Sequence, residues 1–250
     1  MKNKIKRYLN LAINGFILKP FGLMLSHSVG RNPLEDMKRL FDGADVKQII
    51  DGGAYRGDFS LEVAKIFPGA MIYAFEPQET SFSLLSQNTS SIGNIKPINC
   101  ALGDASGTAY FYTNKSPLTS SLSKSSNDAL RYFDSYNNPE GVEEVKVVSL
   151  SDYFLDKAIL GIDILKLDLQ GHELQAIHGL GDMLKMVKLI YIEVEFIKLY
   201  EDASLFSDVE SFLRERSFVF FQLYGQVRSP ENGRLLYSDA IFLNSEYFSL

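Results

Sequence analysis

Cysteine is almost absent. Cys100 is the only one in 250 residues, which excludes an intrachain disulfide framework and a cysteine-rich zinc site and fits a reducing, cytoplasmic compartment. Positive charge is also scarce: 25 Lys and Arg against 31 Asp and Glu leave a net −6. Such a balance repels a polyphosphate backbone unless the cations are clustered, so nucleic acid is not an expected partner. A membrane span needs roughly 20 clean apolar residues, and none is found. The apolar stretch from Tyr8 to Leu25 is interrupted by Asn10, Asn14, Lys19 and Pro20, and no small-residue cleavage site follows it. There is no G-x-x-x-x-G-K-[ST] loop, no internal repeat and no second domain.

What is there begins with uneven charge. Residues 1–40 hold eight basic and two acidic groups, a local +6, which leaves −12 for the remainder. Ile5, Leu9, Ala12, Ile13, Phe16 and Ile17 recur at helical spacing opposite the Lys and Asn positions. This predicts an amphipathic N-terminal helical extension over residues 1–45. It has two readings: a cap or homo-oligomer contact, and a peripheral contact with the inner face of a membrane.

From Val46 onward, short apolar runs alternate with amphipathic stretches, the pattern of β-α units around a parallel sheet. Strands are expected at Val46–Ile50, Ala70–Phe75, Ile95–Cys100, Ile164–Leu169 and Leu189–Phe196. Helices are expected at Phe59–Phe67, Ser81–Asn88, Glu173–Leu180 and Leu205–Glu215. Thr108–Tyr112 and Val142–Val148 alternate like antiparallel additions, and Phe218–Tyr224 with Tyr237–Leu243 reads as a closing hairpin. Residues 113–141, rich in Ser and Asn, form an insertion or lid within a domain spanning 46–250.

The most informative segment runs from Ile49 to Ser60: a buried strand, a turn with Gly52, Gly53 and Gly57, then a helix start. Gly53 and Gly57 permit a tight turn and close approach of a ligand, and the helix start offers free N–H groups to a carboxylate. The second strand ends in Glu76-Pro77, where a carboxylate accepts both hydroxyls of a ribose in nucleoside-binding α/β folds. The glycine intervals are wrong for a dinucleotide pyrophosphate, which leaves an NAD(P)-dependent oxidoreductase as an alternative, with a non-catalytic partner keeping the fold as another. Asp51, opening the turn, suits a ligand with an amino group and a carboxylate, such as S-adenosylmethionine.

Taken together, Asp51-Gly-Gly-Ala-Tyr-Arg-Gly-Asp-Phe-Ser60, Ala74-Phe-Glu-Pro77, Ala101-Leu-Gly-Asp104, Ile164-Leu-Lys-Leu-Asp-Leu-Gln-Gly-His-Glu173 and Ile192-Glu-Val-Glu195 resemble the FkbM family of S-adenosylmethionine-dependent methyltransferases. The resemblance spans about Ile49 to Leu243. It implies a Rossmann-like class I methyltransferase fold, with a seven-stranded, mostly parallel sheet and an inserted antiparallel strand, and O-methylation of sugars or polyketide-like hydroxyls, with a carbohydrate, glycolipid or similar small acceptor the favoured one. Gly52 and Tyr55 stand where the family commonly has Val and Asn. Asp51, Gly53, Tyr55, Gly57, Glu76 and Pro77 are the expected cofactor set, with Ala101, Leu102 and Asp104 around the adenine.

For catalysis, the ends of strands four and five supply Asp168, His172 and Glu195, with Glu195 preferred to Glu193 as nearer the strand end. A buried charge in an apolar strand must be paired or used, so Lys166–Asp168 is also readable as a structural pair. Asp168, His172 and Glu195 could together ligate a divalent metal ion; a metal-free site is favoured.

Overall fold

A computed structural model describes residues 30–249 apart from 134–137, 158 and 160. The amphipathic helix read over Ile5–Ile17 lies outside the described residues. The first described helix, α1 (Pro33–Leu40), starts where Asn32 Oδ1 accepts from the amides of Leu34 and Glu35 at 2.9 and 3.2 Å, with Pro33 at its first position.

The β-α alternation follows: β1 (Gln48–Gly52), α2 (Asp58–Ile66), β2 (Met71–Phe75), α3 (Glu79–Thr89), β3 (Ile95–Ile98) and β4 (Ala101–Leu102). Next come β5 (Gly107–Asn114), a short 3₁₀ turn at Pro117–Thr119, α4 (Asn127–Phe133), β6 (Pro139–Val148) and α5 (Leu150–Phe154). The chain continues through β7 (Ile162–Leu167), α6 (Glu173–His178), a 3₁₀ turn at Gly181–Met186, β8 (Val187–Glu195), α7 (Phe206–Arg214), β9 (Phe218–Arg228) and β10 (Leu235–Asn244).

Seven strands make one sheet in the order β3-β2-β1-β7-β8-β10-β9. The strands from β3 to β8 pair in parallel, while β10 runs antiparallel to both β8 and β9. Every residue of β7 is buried, as expected of a central parallel strand covered on both faces. One face packs Met37, Phe41, Val63 and Leu85 against Ile49, Ile72 and Ile164. The other packs Leu150, Phe154, Ile177, Leu180 and Leu213 against Ile50, Leu165 and Ile190.

Thr108–Tyr112 and Val142–Val148 do pair antiparallel, but in a separate three-stranded sheet of order β4-β6-β5 rather than on the main one. Val147 and Val148 pair with Ala101 and Leu102, the short strand that follows β3, and so carry this small sheet to the rim of the strand ends. Among the described residues no helix is long and apolar enough to cross a membrane.

Candidate active site

The strand register decides which side chains meet. Asp51 lies opposite Lys166 between β1 and β7, and Glu193 lies opposite Asp239 between β8 and β10. Lys166 is 7% exposed and its Nζ sits 3.1 Å from Asp51 Oδ1, 2.7 Å from the Gly53 carbonyl and 3.1 Å from that of Gly52. Asp51 Oδ2 accepts from Ser60 Oγ at 2.7 Å. Burial works against the Lys166 charge, but Asp51 first and then Asp168 outweigh it and hold its pKa above normal. Asp51 is therefore fully enclosed behind the turn and does not open into the cleft. The correction has a physical cause: the only way to keep Lys166 inside the sheet is to pair it.

The turn itself does open into the cleft. Gly53 has φ +69, and a Cβ there would lie 1.9 Å from the Asp168 carbonyl oxygen, so only glycine lets the ends of β1 and β7 approach this closely. Gly57, φ +93, instead meets Leu85 and Thr89 and serves the packing of α2 on α3. Tyr55, also left-handed at φ 48, donates its amide to Glu76 Oε2 at 2.8 Å. Glu76 Oε1 accepts from the Gln78 amide at 3.0 Å. Burial pushes the Glu76 carboxyl up to about 7, against the lowering effect of those two amides.

Three adjoining cavities share Leu118 and Asp168. The first, an open cleft of about 610 Å³ counting the space that opens to solvent, brings together Gly53, Tyr55, Glu76, Pro77, Ala101, Leu102, Asp168 and His172 from the sequence-derived set. Phe75 and Cys100 extend its apolar wall, and Leu118 and Leu122 close it from the insertion. Asp51, Gly57, Asp104 and Glu195 do not line it. Asp104 is exposed. Burial lowers the His172 pKa, partly offset by Asp104 and Asp202. The donor set fits an adenosyl group bearing an amino-acid tail: a buried carboxylate at the end of β2, an apolar wall beside it, and the main chain of the Gly53 turn at the cleft.

Glu195 is spent elsewhere. It is 2% exposed and its Oε2 accepts the Leu199 amide at 2.7 Å, bracing the turn after β8. Its neighbour two residues back, Glu193, is the one that reaches the second and third cavities. Alternation puts both on one side of β8, but the chain turns over Glu195 and consumes it.

Sequence reasoning also missed Gln170, Tyr191 and Asp239. Gln170 Nε2 donates to Asp168 Oδ1 at 2.7 Å and to Glu193 Oε1 at 3.2 Å, while its Oε1 accepts from Tyr200 Oη at 2.7 Å. Tyr191 Oη donates to Asp239 Oδ2 at 2.7 Å. Burial first, then the charge of Asp168, raises Asp239 to about 6. Burial and the charges of Asp168, Glu173 and Asp239 drive Glu193 well above the ordinary carboxylate range. Glu173 itself accepts the amides of Leu169 and Gly171 at 2.7 and 3.2 Å and shapes the loop after β7. Among the described residues, no three His, Cys, Asp or Glu groups are placed to hold one metal ion, and the set Asp168, His172 and Glu195 does not converge.

A seven-stranded sheet of this order, with one antiparallel strand inserted next to its edge and a cleft at the carboxyl ends of its parallel strands, defines a Rossmann-like class I methyltransferase. The chain belongs to the FkbM methyltransferase family, whose domain model matches residues 51–220. Methyltransferase sdnD of Sordaria araneosa is 26% identical over 193 residues, covering 68% of this chain and 73% of that one. The hexuronic acid methyltransferase AglP of Haloferax volcanii is 23% identical over 158 residues, 60% of this chain and 61% of its own. The 2-O-methyltransferase NoeI of Sinorhizobium fredii is 24% identical over 161 residues, 61% and 65% respectively. The matched region thus spans less than two thirds of the last two relatives.

Proposed function

We propose that this enzyme transfers a methyl group from S-adenosylmethionine to a hydroxyl of a carbohydrate or glycolipid-like acceptor. The observation that carries the reading is the Glu76 carboxylate, 7% exposed at the end of β2 and facing the same cleft as Gly53 and Asp168. Each Glu76 oxygen holds one backbone amide and keeps a second lone pair for a ribose hydroxyl. Gly53 and Tyr55 would hold the amino-acid tail, and Phe75, Ala101 and Leu102 the adenine.

The bound donor supplies an electrophilic methyl carbon. The chain's own task is to fix the acceptor oxygen in line with it, and positioning of this kind can supply roughly 7–11 kcal/mol of the barrier. Asp168 lines all three cavities; its Oδ1 is tied to Gln170, and its Oδ2, 3.9 Å from Lys166 Nζ, is the oxygen that would accept the hydroxyl proton. A hydroxyl on a sugar is supported by AglP, named for hexuronic acid, and NoeI, named for a 2-O position. Calorimetric titration with S-adenosylhomocysteine tests the cofactor assignment: micromolar binding by the wild type and its loss in Glu76→Ala support it, and no binding by the wild type overturns it. Mass spectrometry of glycans from cells with and without the gene, read for a gain of one methyl, tests the acceptor class.

The +6 charge of residues 1–40 supports a peripheral contact with an anionic membrane. Flotation with anionic vesicles at low salt, lost at high salt, is the expected result.

A further inference from the structure

The third cavity belongs to no part of the cofactor set. Its lining includes Phe133, Tyr200 and Tyr237 together with Asp168, Gln170 and Glu193. Phe133 and Tyr237, from α4 and β10, contact edge to face at 6.0 Å and so form an aromatic corner. Aromatic faces opposite a few oriented polar groups are a construction suited to a ring with an apolar C–H face and a rim of hydroxyls.

Among the described residues the polar lining of this cavity holds no cation: it offers the Asp168 and Glu193 carboxyls and the hydroxyls of Ser116, Thr119 and Tyr237. Gln170 has both amide hydrogens directed at Asp168 and Glu193 and its oxygen occupied by Tyr200, so it is locked and offers nothing to an anion. Neither Lys nor Arg lines the cavity among the described residues. The nearest buried cation, Lys166, is engaged by Asp51 and by the carbonyls of Gly52 and Gly53, and lies 3.9 Å from Asp168. A carboxylate brought in here would be desolvated beside the Asp168 carboxylate with no cation in the described lining, whereas hydroxyl or ammonium protons would be accepted.

Resting on the carbohydrate reading above, we infer that this cavity is the acceptor subsite and that it takes an uncharged or amino-bearing sugar ring while rejecting uronic acids and phosphosugars. The chain would thus differ in acceptor charge from its hexuronic acid relative. Asp168 and Glu193 would take hydrogen bonds from vicinal hydroxyls, with the ring laid against Phe133 and Tyr237.

The test uses saturation-transfer NMR on the full chain with S-adenosylhomocysteine present, whose own binding is first verified by calorimetry. The probes are methyl glycosides of the gluco, galacto and manno series, each as the neutral sugar, the 2-amino sugar and the uronate. Saturation transfer to neutral and amino members, at least tenfold weaker transfer to every uronate, and reduced transfer to neutral members in Phe133→Ala are expected. In Asp168→Asn the discrimination against uronates should shrink severalfold, and Tyr237→Leu serves as the second aromatic variant should Phe133→Ala fold poorly. Uronates bound as well as neutral sugars, or no probe bound while S-adenosylhomocysteine binds, overturns this subsite. Absence of S-adenosylhomocysteine binding overturns the cofactor reading instead.

Discussion

Lys166 Nζ lies 2.7 Å from the carbonyl oxygen of Gly53, so a cation inside the sheet holds the main chain of the turn that faces the cleft. The same ammonium neutralises Asp51 at 3.1 Å. The geometry of the turn and the solvation of a buried ion pair are therefore one problem with one solution.

Lys166→Met leaves Asp51 buried and unpaired. Removing one partner of such a pair costs roughly 3–5 kcal/mol, so a fall in Tm of many degrees is expected in thermal unfolding. Lys166→Ala with Asp51→Ala together should recover much of that loss without recovering S-adenosylhomocysteine affinity, because the Gly52 and Gly53 carbonyls lose their donor.

Gly53→Ala and Gly43→Ala should separate close approach from backbone conformation. Both glycines have positive φ, +69 and +76, but a Cβ at Gly43 meets nothing within 4 Å, while at Gly53 it would lie 1.9 Å from the Asp168 carbonyl. Gly43→Ala is expected to cost about 1 kcal/mol for the left-handed backbone alone. Gly53→Ala should abolish cofactor binding and lower Tm far more. Equal effects in denaturant titrations would remove the close-approach account.

Cofactor affinity should rise with pH through about 7 in the wild type, where burial has raised Glu76. The ionised carboxylate accepts two ribose hydroxyls, and the protonated one accepts less well. Calorimetry from pH 5.5 to 8.5 should show a weaker, pH-independent affinity in Glu76→Gln.

Stability of the free enzyme should move the other way. Glu76 and Glu173 are raised to about 7, Glu195 to about 8 and Asp239 to about 6, from ordinary values of roughly 4. A carboxyl whose folded pKa is raised contributes stability that is complete below its unfolded pKa and lost as pH rises through the folded one. Tm should therefore decline between pH 5 and 8.5, and Glu195→Gln should flatten the upper part of that decline while leaving turnover near wild type.

Asp168→Asn should lower kcat by about 10²- to 10⁴-fold with cofactor affinity within a few-fold of wild type. Retention of full turnover would pass the proton-accepting role to another group, with Glu193 the next to replace.

Local signals were readable in the sequence and long-range ones were not. Gly53 and Glu76 follow from strand, turn and strand end within one βαβ unit, and the structure places both at the cleft. Asp51 opens the same turn, but its fate is set by Lys166 on a distant strand, and only the β1–β7 register reveals it. Alternation along β8 gives Glu193 and Glu195 the same side. The Leu199 amide, which removes Glu195 from use, lies in a turn that no periodicity describes. Asp239 enters through β10, which pairs with its chain neighbour β9 on one side but on the other with β8, and only that second pairing brings it to Glu193.

Tyr200 Oη is shared between Gln170 Oε1 and the Thr119 carbonyl, and Ser121 Oγ donates to the Gln170 carbonyl at 2.7 Å. The segment overhanging the cleft is thus fastened at Thr119 through its main-chain oxygen, which any residue provides, and at Ser121 through its hydroxyl. The side chains of Ser116 and Leu118, which line the third cavity but make none of these bonds, can then change without loosening the attachment, a place to retune acceptor choice at little risk to the chemistry beneath.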